Sequence, residues 1–296
     1  MCLPSVLQNV RFYGRFAVLS RRGAAAKIGR LRDGQRSLLC GYLIPSPPGV
    51  HLRQDKHPGR QECLLVELGL IGYSQAWELQ RQLVAARKAD AISNVLLLCE
   101  HPHVITLGRN AKREHLLASP ALLRQMGCEF HSTDRGGDIT YHGPGQVVGY
   151  PILNLAEIRR DVAWYVRQLE EAMIRATADY GIAAGRKPGL TGVWVDTIQG
   201  EEKLAAIGVH ISRWVTSHGF AYNVSTDLRY FDLIVPCGIT DKRPTSLERI
   251  LKRTIPADEV GPRIAEQLAD VFGLELRSTT RHELEERLSR QPTCVN

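Results

Sequence analysis

The sequence predicts an α+β protein in which a mixed, largely antiparallel sheet is packed by helices. Three observations predict it. Short apolar runs outnumber long amphipathic ones. Three strand-like segments, Gly192–Asp196, Leu204–Ile211 and Gly219–Val224, follow one another with no helical pattern between them. The few long helical patterns are too widely spaced for a regular βαβ winding.

The elements follow in order. The apolar segment Leu64–Leu70 is a strand candidate, and Ser74 is placed to cap a helix with Ala76, Leu79, Leu83 and Ala86 on its apolar face. Asn94–Cys99 reads as a buried strand, Val104–Leu107 as another, and the apolar run Val147–Leu155 as a third. Asp161 should cap the best helix. Its stripe is Val162, Tyr165, Val166, Leu169, Ala172, Met173, Ala176 and Tyr180, and Gly181 ends it; Trp164 falls outside the stripe. A further helix follows Pro256, with Val260, Ile264, Leu268, Val271 and Phe272 on one side. Thr280 and Glu283 form a capping box for a last short helix.

The chain has 296 residues, of which 44% are hydrophobic, so a sizeable core can form. No apolar stretch approaches a membrane span. The net charge is +7, but residues 1–60 hold eleven Lys/Arg against two acids, while the remainder carries 27 basic and 29 acidic groups. The basic character belongs to the N-terminal segment, so the body is not expected to bind nucleic acid or membrane. That segment, residues 1–60, reads as a basic, disordered extension. A transit peptide or sequence upstream of the true start would share its composition. One catalytic domain is expected over 62–275, with a C-terminal helix and tail over 276–296. The seven cysteines are scattered and include no C-x-x-C pair, so neither a disulfide framework nor a zinc site is expected.

The densest cluster of special residues is Arg135-Gly-Gly-Asp-Ile-Thr-Tyr-His-Gly-Pro-Gly-Gln146. Four glycines and a proline in twelve residues predict a loop whose backbone can approach a ligand closely. Cys237, in Ile234-Val-Pro-Cys-Gly-Ile239, sits between a proline and a glycine where a strand should end. That setting fits a reactive thiol as well as a buried inert one. A cysteine nucleophile needs a nearby cation to favour the thiolate, and Lys203 is a candidate, although a lysine at a strand's start is commonly just exposed. His142 and His218 could be pocket residues or general bases. His101 and His103 lack further ligand spacing, so no metal site is expected there. No P-loop or dinucleotide fingerprint supports ATP or NAD use.

Taken together, these segments resemble the lipoyl(octanoyl) transferase family. The matching residues are Arg135–Gln146, Lys203-Leu-Ala-Ala-Ile-Gly208, His218-Gly-Phe-Ala-Tyr-Asn223 and Pro236-Cys-Gly238; His101-Pro-His-Val104, Gly108-Arg109 and Glu114-His-Leu-Leu117 match an earlier segment. The resemblance covers roughly residues 63–275 and the Lys-to-Cys spacing is 34 residues. Residues 1–60 have no counterpart in it. It implies a fold like the biotin and lipoate protein ligase catalytic domains. It also implies transfer of an octanoyl group from octanoyl-acyl carrier protein to a lysine of lipoyl domains, in 2-oxo-acid dehydrogenase complexes and the glycine-cleavage carrier protein. No cofactor is implied. The compartment would be the cytoplasm, or the mitochondrion if the basic N-terminus is a transit peptide. Carried over by motif, Cys237 is the acyl-thioester nucleophile and Lys203 the group that lowers its pKa. Arg135, Gly136, Gly137, Asp138, Ile139, Thr140, Tyr141 and His142, then Ala206, Ile207 and Gly208, then Gly219, Phe220 and Ala221, line the substrate site. Where the family motif often has serine, this chain has Ala205 or Ala206, which leaves a backbone role intact and removes a hydroxyl. Two other readings are an ATP-dependent lipoate-protein ligase, which needs no nucleophilic cysteine, and a non-catalytic module that binds lipoyl domains.

Overall fold

A computed structural model describes residues 59–235 and 243–290. These belong to one of two units, Gln54–Asn296; the other, Met1–Arg53, lies outside the described residues. Cys237 also lies outside them.

A large mixed sheet carries the fold. Its strands are β1 (Gln61–Leu70), β2 (Asn94–Glu100), β6 (Gln146–Ile152), β7 (Ala184–Lys187), β8 (Leu190–Thr197), β9 (Gly200–Ser212), β10 (Val215–Asn223), β11 (Arg243–Pro244) and β12 (Leu274–Ser278). Their order is β12-β1-β2-β6-β10-β9-β8-β7, with β11 added to β9. The pairs β12/β1, β1/β2 and β11/β9 are parallel and the rest antiparallel, so the sheet is mixed and largely antiparallel as its sequence predicts. A smaller sheet holds β3 (Val104–Leu107) between β4 (Glu129–Ser132) and β5 (Ile139–His142).

Burial explains the sequence patterns. β2 and β6 are buried on both faces and so read as continuous apolar runs. On one face of the large sheet lie α4 (Val162–Ala178) and α6 (Ala257–Phe272), whose Leu169, Met173, Ile264 and Leu268 join one core. On the other face lie α1 (Tyr73–Lys88) and α7 (Arg281–Ser289), which close a second core around Leu83, Val95 and Leu284. The Asp161 carboxylate accepts from Trp164 N at 2.9 Å and so caps α4, and Thr280 and Glu283 make the full capping box of α7. Trp164 is half-buried and meets Phe272 edge-on at 5.4 Å. No described helix is long and apolar enough to cross a membrane.

Several boundaries differ from expectation. Ser74 is not a cap: α1 starts at Tyr73 after Gly72, with no side-chain cap. The reason is upstream, where Ile71 N donates to Glu100 O at 3.0 Å and fixes the entry of the chain, so that buried Tyr73 begins the helix. The run Val147–Leu155 stops being strand at Ile152, because Asn154 caps a short helix, α3 (Leu155–Ile158). The segment 135–146 is not loop throughout. Its β-branched and aromatic stretch Ile-Thr-Tyr-His pairs with β3 as β5, leaving turns at either side. Pro262 lies inside α6, where it removes one helical hydrogen bond.

Candidate active site

The cleft forms where the antiparallel ladder of β9 and β10 meets the small sheet and the N-terminus of α1. Register does most of the assembly. Ala206 pairs with Ala221 and Gly208 with Gly219, so two motifs separated in sequence become one patch of small residues. Ala206, Ile207 and Gly208, with Gly219, Phe220 and Ala221, line the cleft from this side. Arg135, Gly137, Asp138, Ile139, Thr140 and His142 line it from the other.

The 135–138 turn is fixed over the ladder by its own backbone. Gly136 N donates to Val209 O at 2.8 Å. A Cβ at Gly208 would stand 2.9 Å from Gly136 O, so this approach requires glycine. The Arg135 guanidinium is buried and donates to Thr106 O at 2.6 Å and Thr106 Oγ1 at 2.9 Å. Asp138 Oδ1 accepts from Ile139 N at 2.7 Å, and its Oδ2 accepts from His115 Nδ1 at 2.6 Å. Both contacts orient the turn toward the cleft.

Two predicted lining residues point elsewhere. Strand alternation turns the side chains of Thr140 and His142 to the cleft and those of Ile139 and Tyr141 to the opposite face, although Ile139 still borders the cleft. Tyr141 is fully buried in a third core, stacked on Tyr230 at 5.0 Å and bonded through its hydroxyl to His103 Nδ1 at 2.7 Å. Gly136 does not line the cleft; its amide serves β9.

His142 belongs to a polar chain. Gln146 Nε2 donates to Asn223 Oδ1 at 2.8 Å and Tyr141 O at 3.3 Å, so Gln146 Oε1 is left to accept from His142 Nδ1 at 2.8 Å. Asn223 Nδ2 in turn donates to Thr245 O at 2.9 Å. Burial pushes the His142 pKa down to about 3, so the ring is neutral, with Nε2 facing the Thr106 hydroxyl at 3.5 Å. A neutral histidine with both nitrogens engaged positions the wall rather than shuttling protons.

Sequence reasoning missed Tyr73, Val148 and Tyr150 in the lining, and it left the role of His218 open. Tyr73 stacks on His142 at 6.2 Å with the rings 8° apart. Tyr150 donates to His101 Nε2 at 2.6 Å, while His101 Nδ1 donates to Ile71 O at 2.7 Å; burial lowers that histidine to about 4. His218, with φ +54, donates through Nε2 to Asp134 Oδ1 at 2.8 Å. This bond draws the Asp134 carboxyl down to about 2, whereas burial lowers the His218 pKa despite it. Burial dominates for the enclosed ring, so the charge of the pair rests on the half-exposed carboxylate. In the sequence Tyr73, Val148 and Tyr150 look like ordinary core residues, and only His218, beside the motif glycine Gly219, carries a signal.

Lys203 lies within β9 rather than before it, half-buried, and lines the cleft. Its Nζ stands 5.2 Å from the Trp194 ring centroid. Gly192, at φ +126, makes the room: a Cβ there would stand 2.6 Å from Lys203 Cε and 2.5 Å from Ala205 O. The described chain stops at Val235 and resumes at Arg243, and there Pro244 pairs with Lys203 and Thr245 N donates to Lys203 O at 2.9 Å. Three of the other cysteines, Cys63, Cys99 and Cys128, are described. All are buried and unpaired, and burial raises their thiol pKa values, that of Cys128 to about 11. Among the described residues, no group of three or more His, Cys, Asp or Glu side chains is placed to hold a metal ion.

The site is thus a small-residue cleft on a mixed sheet, with a glycine-bordered turn over it and a lysine among its lining residues. The family model of the lipoyl protein ligase A/B catalytic domain matches residues 72–269, and the chain belongs to that family. Its relatives include the octanoyltransferase of Solibacter usitatus, 56% identical over 216 residues that make up 73% of this chain and 96% of that protein. The octanoyltransferase of Gloeobacter violaceus is 46% identical, over 78% of this chain and 99% of that protein. Among solved structures, the bipartite lipoate protein ligase of Thermoplasma acidophilum superposes with a TM-score of 0.61 at 17% identity, covering 78% of this chain and 91% of that one. This likeness shows the shared fold.

Proposed function

We propose that this protein is an octanoyltransferase that takes the acyl group of octanoyl-acyl carrier protein onto Cys237 and passes it to a lysine of lipoyl domains. The observation that carries the reading is Lys203 in the cleft, with the chain that emerges just after Pro236-Cys-Gly238 paired against it at Pro244. The octanoyltransferases of Solibacter usitatus and Gloeobacter violaceus share about half of its residues over most of its length. The three described cysteines support the choice of nucleophile by exclusion, since buried thiols with raised pKa values are poor thiolates.

The chemistry is balanced without ATP. The Cys237 thiolate attacks the donor carbonyl, the donor C–S bond breaks, and the carrier sulfur leaves as a thiol by taking the Lys203 ammonium proton, which leaves Lys203 a neutral amine. One thioester replaces another. The acceptor amine then attacks the Cys237 thioester, forming an amide and releasing the thiolate, while Lys203 takes the amine proton. Amide is more stable than thioester, which drives the second step. Lys203 as an ammonium favours the thiolate in the first step. Backbone N–H groups of the glycine-bordered turns are suited to hold each oxyanion, and one such donor is worth about 2.7–4 kcal/mol. Arg135, Asp138 and His142 shape the wall. The cytoplasm is the compartment where this reading puts the reaction.

The test is intact-mass analysis of the full chain after mixing with octanoyl carrier protein, then with a lipoyl domain. The expected result is one octanoyl mass on Cys237 that discharges to the domain. Cys237→Ala should carry no acyl group and transfer none. Lys203→Ala should slow transfer by about 10²–10⁴-fold, the usual worth of a positioned proton acceptor. Transfer that persists in Cys237→Ala, or that requires ATP and free octanoate, would refute the mechanism and favour a ligase.

A further inference from the structure

Beyond the cleft, the same sheet face carries a second recess. Along β9, Ala206, Gly208, His210 and Ser212 alternate to one face, so the face that floors the cleft runs on toward the turn at Arg213 and Trp214. There it meets Trp77, Gln80, Arg81 and Lys88 of α1, and together they enclose a groove of about 360 Å³.

Its chemistry differs from that of the cleft. Lys88 and Arg213 form no ion pair among the described residues, and partial burial together with Arg213 lowers the Lys88 ammonium pKa. Lys88 Nζ donates to Ser212 Oγ at 2.9 Å. Arg81 lies 5.3 Å over the Trp77 ring and is shared with Glu78. The carboxylate lining the groove, Asp134, is already engaged by His218 and His210. Gln80 is fully buried; its Oε1 accepts from His218 N at 2.8 Å, and its Nε2 has no hydrogen-bond partner. A buried amide donor left unmade is costly, and so are two neighbouring cations with no described carboxylate within ion-pair distance of either, the Asp134 carboxylate being held by His218 and His210 instead. One anion with several acceptor oxygens relieves both.

We propose that this groove binds the phosphodiester of the acyl donor's pantetheine arm while the thioester end of the same arm lies in the cleft. This rests on the reading that a carrier-bound thioester is the donor. Neighbouring residues divide between the two recesses: Asp134 and Ser217 face the groove, and Arg135 and His218 face the cleft. One extended ligand can therefore occupy both. A carboxylate on the acceptor domain would instead pair with the exposed rim at Arg213 and leave Gln80 unsatisfied.

The experiment compares octanoyl-phosphopantetheine with octanoyl-pantetheine as donors to the full chain, with one lipoyl domain as acceptor. The phosphorylated donor should have a kcat/KM higher by about tenfold, as expected for about 1.4 kcal/mol of added binding. Lys88→Gln with Arg213→Gln should abolish that advantage and leave the unphosphorylated donor unchanged. Gln80→Glu keeps the acceptor for His218 N–H and replaces the donor, and it should do the same. Equal kcat/KM for the two donors overturns the proposal. So does a loss in the variants that is equal for both donors, or one confined to the KM of the lipoyl domain. If neither thioester transfers, the acyltransferase reading falls and this proposal with it.

Discussion

At the scale of single residues, the site depends on what is missing from side chains as much as on what is present. Gly192 has no catalytic atom, yet it leaves the space that Lys203 fills beside Trp194. Gly192→Ala adds a Cβ within 2.6 Å of Lys203 Cε at a backbone φ of +126 that alanine disfavours. The side chain of Lys203 must move, so kcat for octanoyl transfer should fall by about tenfold or more, with a loss of about 1–3 kcal/mol in stability. Transfer assays and denaturant melts of the variant measure both. A variant with wild-type kcat would show that Lys203 does not depend on its seat. The motifs Lys203–Gly208 and His218–Asn223 stand out in the sequence through the family resemblance, since their residues alone read as a lysine at a strand's start and a histidine that could be pocket residue or general base. That Tyr141 turns away is not legible, since the glycines and proline of Arg135–Gln146 read as loop and mask the alternation of the strand Ile139–His142 within it.

At the scale of elements, the strands of the central sheet were legible wherever both faces are buried, as in β2, because a continuous apolar run needs no partner to be recognised. Elements with little apolar content were not. β12, Leu-Glu-Leu-Arg-Ser, is too short and too charged to stand out, and only its parallel pairing with β1, from Gln61↔Leu274 to Leu65↔Ser278, makes it strand. β11 is two residues long and exists only through its pairing with β9. The pairing of β12 has a testable effect. A chain ending at Gly273 would lose β12 and α7, leave the backbone of β1 unpaired at the sheet edge, and uncover the pocket of the second core that Leu284 fills. Such an edge invites association. The truncated protein should therefore aggregate or melt well below the full chain, as size-exclusion chromatography and thermal denaturation would report; an equally stable monomer would contradict the role given to β12.

At the scale of the whole molecule, acid should weaken the fold well before its carboxylates titrate. His101 and His142 are held neutral by burial, with pKa values lowered from 6.5 to about 4 and about 3. The unfolded chain protonates both as the pH falls through 6.5, and the folded chain does so only near 4 and 3. Their contribution is thus complete above pH 6.5 and is lost as the pH falls toward 4, at about 2 kcal/mol per histidine by pH 5. Thermal melts between pH 7 and pH 5 should show Tm falling, with a shallower fall in His101→Gln; a flat profile would contradict the buried neutral state. Both histidines stand around Tyr73, where α1, β5 and β6 converge on the cleft. That convergence gives the cleft a second character. Its walls come from residues as far apart as Tyr73 and Ala221 and from both sheets, so whatever lies in it is gripped by the whole fold at once. Occupancy therefore acts as a clasp: an acyl ligand at a hundredfold excess over its Kd holds the chain folded by about 2.7 kcal/mol. On the proposed mechanism, the enzyme loaded with its acyl group is, by the same grip, a sturdier molecule than one that has just delivered it.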